Sequence, residues 1–132
     1  MMVRTGPSGA LSPYYWKGGY FHAIHYGSYF DDMSSLRDMM SKEEDFIMRS
    51  PEMRRIIMDI YEDNLTEPMI KEFVSHIERI APRIVKLAVA GEKKYLRAIK
   101  KLLSKSNVIN DGRLWFGEDM DTGKTWLVSE HY

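Results

Sequence analysis

With 132 residues, of which 44% are hydrophobic and 29% charged, the chain has the composition of one globular domain around one core, not of a disordered segment. Nineteen basic residues balance nineteen acidic ones, so no global charge draws it to nucleic acid or an anionic membrane, and self-association as a homodimer is a reasonable expectation. Cysteine is absent, which excludes disulfides, thiolate nucleophiles and cysteine-based zinc sites and is compatible with the cytoplasm, the location expected here.

No apolar run approaches the roughly 18 residues that span a bilayer, so no transmembrane segment is expected. No charged-then-apolar leader opens the chain, and the sequon Asn64-Leu65-Thr66 is read as chance. Residues 1–13 carry Gly6, Pro7, Gly9 and Pro13 with little periodicity and read as a flexible N-terminal arm, ordered if at all by packing on a neighbour. Residues 14–132 read as a single α/β domain.

Tyr14-Tyr15-Trp16 and Tyr20 to Tyr26 read as two strands around the glycine turn Lys17-Gly18-Gly19. Asp31 or Asp32 can cap a helix with Met33, Leu36, Met39 and Met40 on its apolar side. Ser41-Lys42-Glu43-Glu44 then forms a capping-box pattern, which predicts a break or kink before the helix resumes toward Met48 and stops at Ser50-Pro51. Arg55 to Tyr61 reads as a core strand.

Thr66-Glu67-Pro68 has the form of a helix start: a hydroxyl cap, an acid in the first turn, and proline where a missing N–H costs little. Ile70, Phe73, Val74, Ile77 and Ile80 recur at helical spacing, and Pro82 ends that helix. Ile84 to Gly91 is almost continuously apolar, the mark of a strand covered on both faces, with Lys86 placed near its entrance and its head reaching water. A third helix follows with Tyr95, Leu96, Ile99, Leu102 and Leu103 inward. Asn110-Asp111-Gly112 is a turn, Arg113 to Phe116 a short edge strand, and Asp119 to Val128 a last helix. The alternation implies a mostly parallel sheet with antiparallel character from the first hairpin.

Three features shape the resemblance that follows. Met58-Asp59-Ile60-Tyr61-Glu62-Asp63-Asn64-Leu65-Thr66-Glu67 leads into the helix Met69 to Ile80. Lys86-Leu87-Ala88-Val89-Ala90-Gly91 comes next, and Phe116-Gly117-Glu118-Asp119 precedes Trp126-Leu127-Val128. In order and spacing, residues 20 to 130 resemble the single-domain STAS-like proteins, relatives of anti-sigma-factor antagonists that share a fold superfamily with CRAL-TRIO lipid-carrier domains. The resemblance implies a mixed, mostly parallel sheet of four or five strands with helices mainly on one face. It also implies a serine or threonine switch at the start of the helix after a core strand, a position matched here by Thr66. Where the family carries an Asp-Ser-Ser-Gly type of sequence, this chain has Asp63-Asn64-Leu65-Thr66-Glu67-Pro68.

As a cap, the Thr66 hydroxyl contributes about 1 kcal/mol. As a phosphosite it would place a dianion at the positive end of a helix, but Glu62, Asp63 and Glu67 would repel it, and the cap is the favoured reading. The acidic run Asp59, Glu62, Asp63 and Glu67 lacks the glycine-bearing loop and spacing of a cation site, so a solvated turn with partner specificity is favoured over a metal. Glu62, Asp63, Asn64, Thr66 and Glu67 thus form the candidate surface for a protein partner of unknown identity. His22 and His25, three apart on a strand, should face opposite ways and not share an ion, and no zinc constellation or Ser-His-Asp set stands out.

Gly117 to Thr125 has only a superficial likeness to a phosphate loop, being one residue too long and acidic. Thr122, Gly123 and Lys124 are expected on the exposed side of the last helix. Lys93, Lys94, Arg97, Lys100, Lys101 and Lys105 lie opposite the apolar stripe of the third helix: a solvated face or, more sharply, an anion-facing one. Met33, Met39, Met40, Met58, Met69, Phe73, Trp115 and Trp126 are expected in the core, where methionine can repack around an apolar ligand. The expectation is a non-enzymatic regulatory or interaction module without cofactor. A carrier of a small apolar or lipid-like ligand, held between sheet and helices, is the alternative.

Overall fold

The structure, a computed structural model, describes residues 2–26, 32–61 and 65–129. In chain order it contains β1 (Arg4–Thr5), β2 (Leu11–Ser12), β3 (Tyr14–Trp16), β4 (Gly19–His25), α1 (Met33–Arg49), β5 (Arg55–Asp59), α2 (Glu67–Ile80), β6 (Lys86–Ala90), α3 (Lys93–Ser106), β7 (Leu114–Gly117) and α4 (Met120–Val128).

The hairpin β3–β4 turns through Lys17 and Gly18, both at positive φ, and supplies the antiparallel pair of a five-stranded sheet ordered β3-β4-β5-β6-β7. Every other pair is parallel, as the alternation of strands and helices requires. Side chains alternate across the sheet. Ile24, Ile56, Met58, Leu87 and Val89 face α1, α2 and α3, whereas Phe21, Ala23, Ile57 and Ala88 face Leu127 of α4. Cover on both sides explains the uninterrupted apolar run of β6.

Three local expectations meet a different outcome. Helix α1 runs unbroken through Ser41–Glu44: Glu43 is buried and reaches His22, and Glu44 reaches His76 and Arg79, so neither carboxylate turns back to cap Ser41. Its N-cap is Asp32, one of the two aspartates expected there, which accepts from Ser34 N at 2.9 Å; Asp31 lies outside the described residues. The second difference is Lys86, which is 0% exposed. Its Nζ donates to Trp126 O at 2.9 Å and to Ser129 O and Oγ at 3.0 Å, so oxygens at the end of α4 replace water. Arg55 Nη1 adds a bond to Leu127 O at 2.6 Å, and two cations thus hold the negative end of one helix. Finally, of the trio placed on the outer side of α4, only Thr122 is exposed: Gly123 is buried against Trp115, and Lys124 lies over the rings of Tyr14 and Trp16.

Of the residues expected inside, Met39, Met40, Met58, Met69 and Phe73 are buried, and Met33, Trp115 and Trp126 are partly buried against the two clusters. Within the N-terminal arm, β1 and β2 pair antiparallel. That hairpin rests on the domain through Arg4, whose guanidinium lies 4.7 Å from the Phe46 ring centroid and bonds Ser50 Oγ.

Candidate functional site

The C-terminal ends of β4 to β7 lie along one rim, where the chain turns into α2, α3 and α4. Thr66 caps α2 from an extended conformation, its Oγ1 accepting from Met69 N at 3.4 Å, with Pro68 in the first turn and Leu65 buried beneath. Glu67 is exposed and pairs with Lys71 at 3.5 Å. Glu62, Asp63 and Asn64 lie outside the described residues.

Asp59, at the end of β5, is committed to its neighbours. One carboxylate oxygen accepts from Tyr61 N at 3.0 Å and the other meets His25 Nδ1 at 2.9 Å. The bond to Asp59 holds the His25 imidazole above its ordinary pKa of 6.5 despite opposing burial. The Tyr61 hydroxyl donates to Glu118 O, strapping the loop after β5 to the loop after β7. Asp119 caps α4, accepting from Asp121 N and from Thr122 Oγ1, and these bonds hold its carboxyl below the usual range. Among the described residues no group of three histidine or carboxylate side chains is placed to hold a metal.

His22 and His25 do point apart, and the buried one belongs to a network. Ser12 Oγ lies 3.0 Å from His22 Nδ1, and Glu43 Oε1 lies 2.7 Å from His22 Nε2. Ser8 N donates to the other Glu43 oxygen at 3.2 Å. The side chains have the identities of a hydrolytic triad, yet Ser12, His22 and Glu43 are each 0% exposed, so a substrate carbonyl has no approach to Ser12 Oγ. The set clasps the N-terminal hairpin and β4 to α1.

A second network runs beside it. Tyr26 OH meets His76 Nε2 at 2.6 Å, and His76 Nδ1 meets Glu44 Oε2 at 2.6 Å. Arg79 Nε donates to Glu44 at 3.0 Å. Burial pushes the Tyr26 phenol well above its ordinary pKa of 10.0. Burial also opposes ionisation of Glu44, but His76 and Arg79 overcome it and leave the pKa lowered.

Sequence reasoning passed over both networks, though a signal existed. Glu43 stands four residues from Met39 and from Ile47, and His76 stands among Phe73, Ile77 and Ile80, so each polar residue interrupts an apolar stripe.

On α3 the cations Lys93, Lys94, Arg97, Lys100, Lys101 and Lys105 are all exposed. Helical geometry divides them into two stripes. Lys94, Lys101 and Lys105 face outward, and Lys94 pairs with Glu92 at 3.8 Å. Lys93, Arg97 and Lys100 instead wall a cleft of about 470 Å³ against β7, with Leu96, Trp115 and Phe116 as its apolar lining.

No family model, curated protein or solved structure matches this chain.

Proposed function

We propose that the chain is a non-enzymatic regulatory or protein-interaction module of STAS-like type, with the acidic strand–helix junction after β5 as its recognition surface. The observation that carries this reading is the convergence on one rim of Asp59, Glu67, Glu92, Glu118 and Asp119, which come from the ends of three parallel strands and the starts of three helices. Glu67, Glu92, Glu118 and Asp119 are exposed there. Strand order supports the same reading. A doubly wound sheet opens a ligand crevice where its order reverses, but β4 to β7 run consecutively with α1, α2 and α3 on one side. Such a rim suits a broad partner better than a small substrate.

A carrier of an apolar or lipid-like ligand would need space between sheet and helices. There Met40, Met58 and Phe73 are at most 1% exposed, which favours the interaction reading. Native mass spectrometry of protein purified from cells should accordingly give the mass of the bare chain.

The test is capture of a partner by the tagged chain, compared with charge reversal at Glu67, Glu92 and Glu118. Loss of the captured protein on reversal supports the rim, and undiminished capture refutes it. Thr66 is the candidate switch at this surface. Thr66→Val should cost about 1 kcal/mol of stability and weaken capture. Full capture by both Thr66→Val and Thr66→Glu would end the switch idea.

A further inference from the structure

We propose that the open edge of β7, together with the cationic side of α3, is a docking groove that receives an acidic, extended peptide segment as a sixth strand. This surface adjoins the acidic rim at Glu118 and Asp119, which line the same cleft, but its binding wall is the cationic side of α3, and its test stands or falls separately.

β7 is the last strand of the sheet. On its inner side Gly117 O accepts from Gly91 N at 3.2 Å. The alternation of a strand therefore turns the N–H and C=O of Phe116 to the outer side, where among the described residues no strand follows. The Leu114 N–H is used locally, on Asp111 O. Protein edges are usually blunted by shortness, lysine, proline or a bulge; Leu114-Trp115-Phe116-Gly117 is short, at 4 residues, but carries neither lysine nor proline.

What flanks this edge is a groove, not a flat surface. The cleft of about 470 Å³ has Lys93, Arg97 and Lys100 on one wall. A second hollow of about 360 Å³ continues past Lys100 toward Leu114. The groove thus follows the whole strand. Among the described residues the ion pair of α3 joins Lys94 to Glu92, leaving Lys93, Arg97 and Lys100 without a carboxylate partner.

The chemistry selects the occupant. An extended peptide offers the backbone groups that Phe116 lacks. Its alternating side chains can present acids to the α3 wall while the intervening residues meet Trp115. Carboxylates on the opposite face would meet Asp119, so charge also fixes the register. A second copy fits poorly, because pairing β7 with itself about a two-fold axis would oppose each cationic stripe to its own counterpart. A lipid chain cannot bond to Phe116 and would lie in a cleft open to water.

The probe is a fluorescein-labelled decapeptide alternating glutamate with threonine or valine, with a lysine-for-glutamate counterpart as control. Fluorescence anisotropy with the full chain at low salt should show binding of the glutamate peptide alone. The double variant Arg97→Glu/Lys100→Glu should weaken it about tenfold or more, while Lys101→Glu/Lys105→Glu on the outer stripe should change it less than about twofold. Exchange of the Phe116 amide, followed by NMR, should slow on binding, and this readout decides the matter even if the double variant fails to fold. No binding at millimolar peptide overturns the proposal. So does binding that leaves the Phe116 amide exchanging at its free rate, or attachment of the chain to phosphatidylglycerol vesicles that the peptide does not displace.

Discussion

Replacing Glu43 tests whether the buried clasp is what fastens the N-terminal hairpin. Glu43→Ala would orphan His22 Nε2, sealed from water 2.7 Å from the carboxylate, and would release the half-buried Ser8 N, at 3.2 Å. An unsatisfied buried group costs about 1–3 kcal/mol, so the loss should be about that from His22, with a smaller share from Ser8. A domain of this size is stable by about 5–15 kcal/mol, which makes the change severe but measurable. In urea the midpoint should fall by about 0.5–1.5 M. Glu43→Gln keeps the shape and one acceptor but turns an N–H toward Ser8 N, so its cost should fall below that of alanine. The pair His22→Leu/Glu43→Leu removes both partners and should be less destabilised than Glu43→Leu alone. Exchange of the Ser8 amide should accelerate in Glu43→Ala. A midpoint shift below about 0.3 M, or additive costs in the leucine pair, would refute the clasp.

Two further outcomes are expected. Because the bond from Asp59 raises the His25 pKa, its contribution to stability is full below the ordinary value of 6.5 and fades as pH rises through the elevated one. Asp59→Asn should lower the His25 midpoint in an NMR titration, and an unchanged midpoint would remove Asp59 as the cause. At Gly123, alanine would gain about 1 kcal/mol of helix propensity. Its Cβ, however, would stand 2.7 Å from Trp115 Cζ3, and overpacking of that kind costs about 1–3 kcal/mol. Gly123→Ala should therefore lower the melting temperature, and Trp115→Leu in the same chain should convert the change into a gain.

The elements were legible where their signals are local. The glycine turn after Trp16, the threonine–glutamate–proline start of α2 and the covered strand β6 all stand where the sequence puts them. Misreadings arose where a distant partner outbids a local one. Ser41 and Glu44 satisfy a capping pattern, yet Glu44 goes to His76, 32 positions away, and Glu43 to His22, 21 positions away. Lys86 reads as a snorkelling residue until α4 folds back across the sheet and offers Trp126 O, 40 positions on. The cationic face of α3 was visible as composition. Its division into an outward stripe and one that walls the β7 edge depends on which neighbour the helix packs against, and periodicity alone does not contain that.

Because strand order follows chain order from β3 to β7, the sheet can be assembled as the polypeptide emerges during synthesis, each new strand joining the one made just before it. Each parallel crossover holds one helix, α1, α2 or α3, so every strand pairs with its immediate predecessor in the chain and the contacts stay comparatively local. The exception is the last helix, which must travel back: Trp16 Nε1 donates to Thr125 Oγ1 across 109 positions, and Arg55 reaches Leu127 across 72. Until α4 arrives, the face formed by Phe21, Ala23, Ile57 and Ala88 has no cover from it. The nascent chain therefore passes through a stage with a nearly finished sheet and one bare side, and arrival of α4 is the event that closes it.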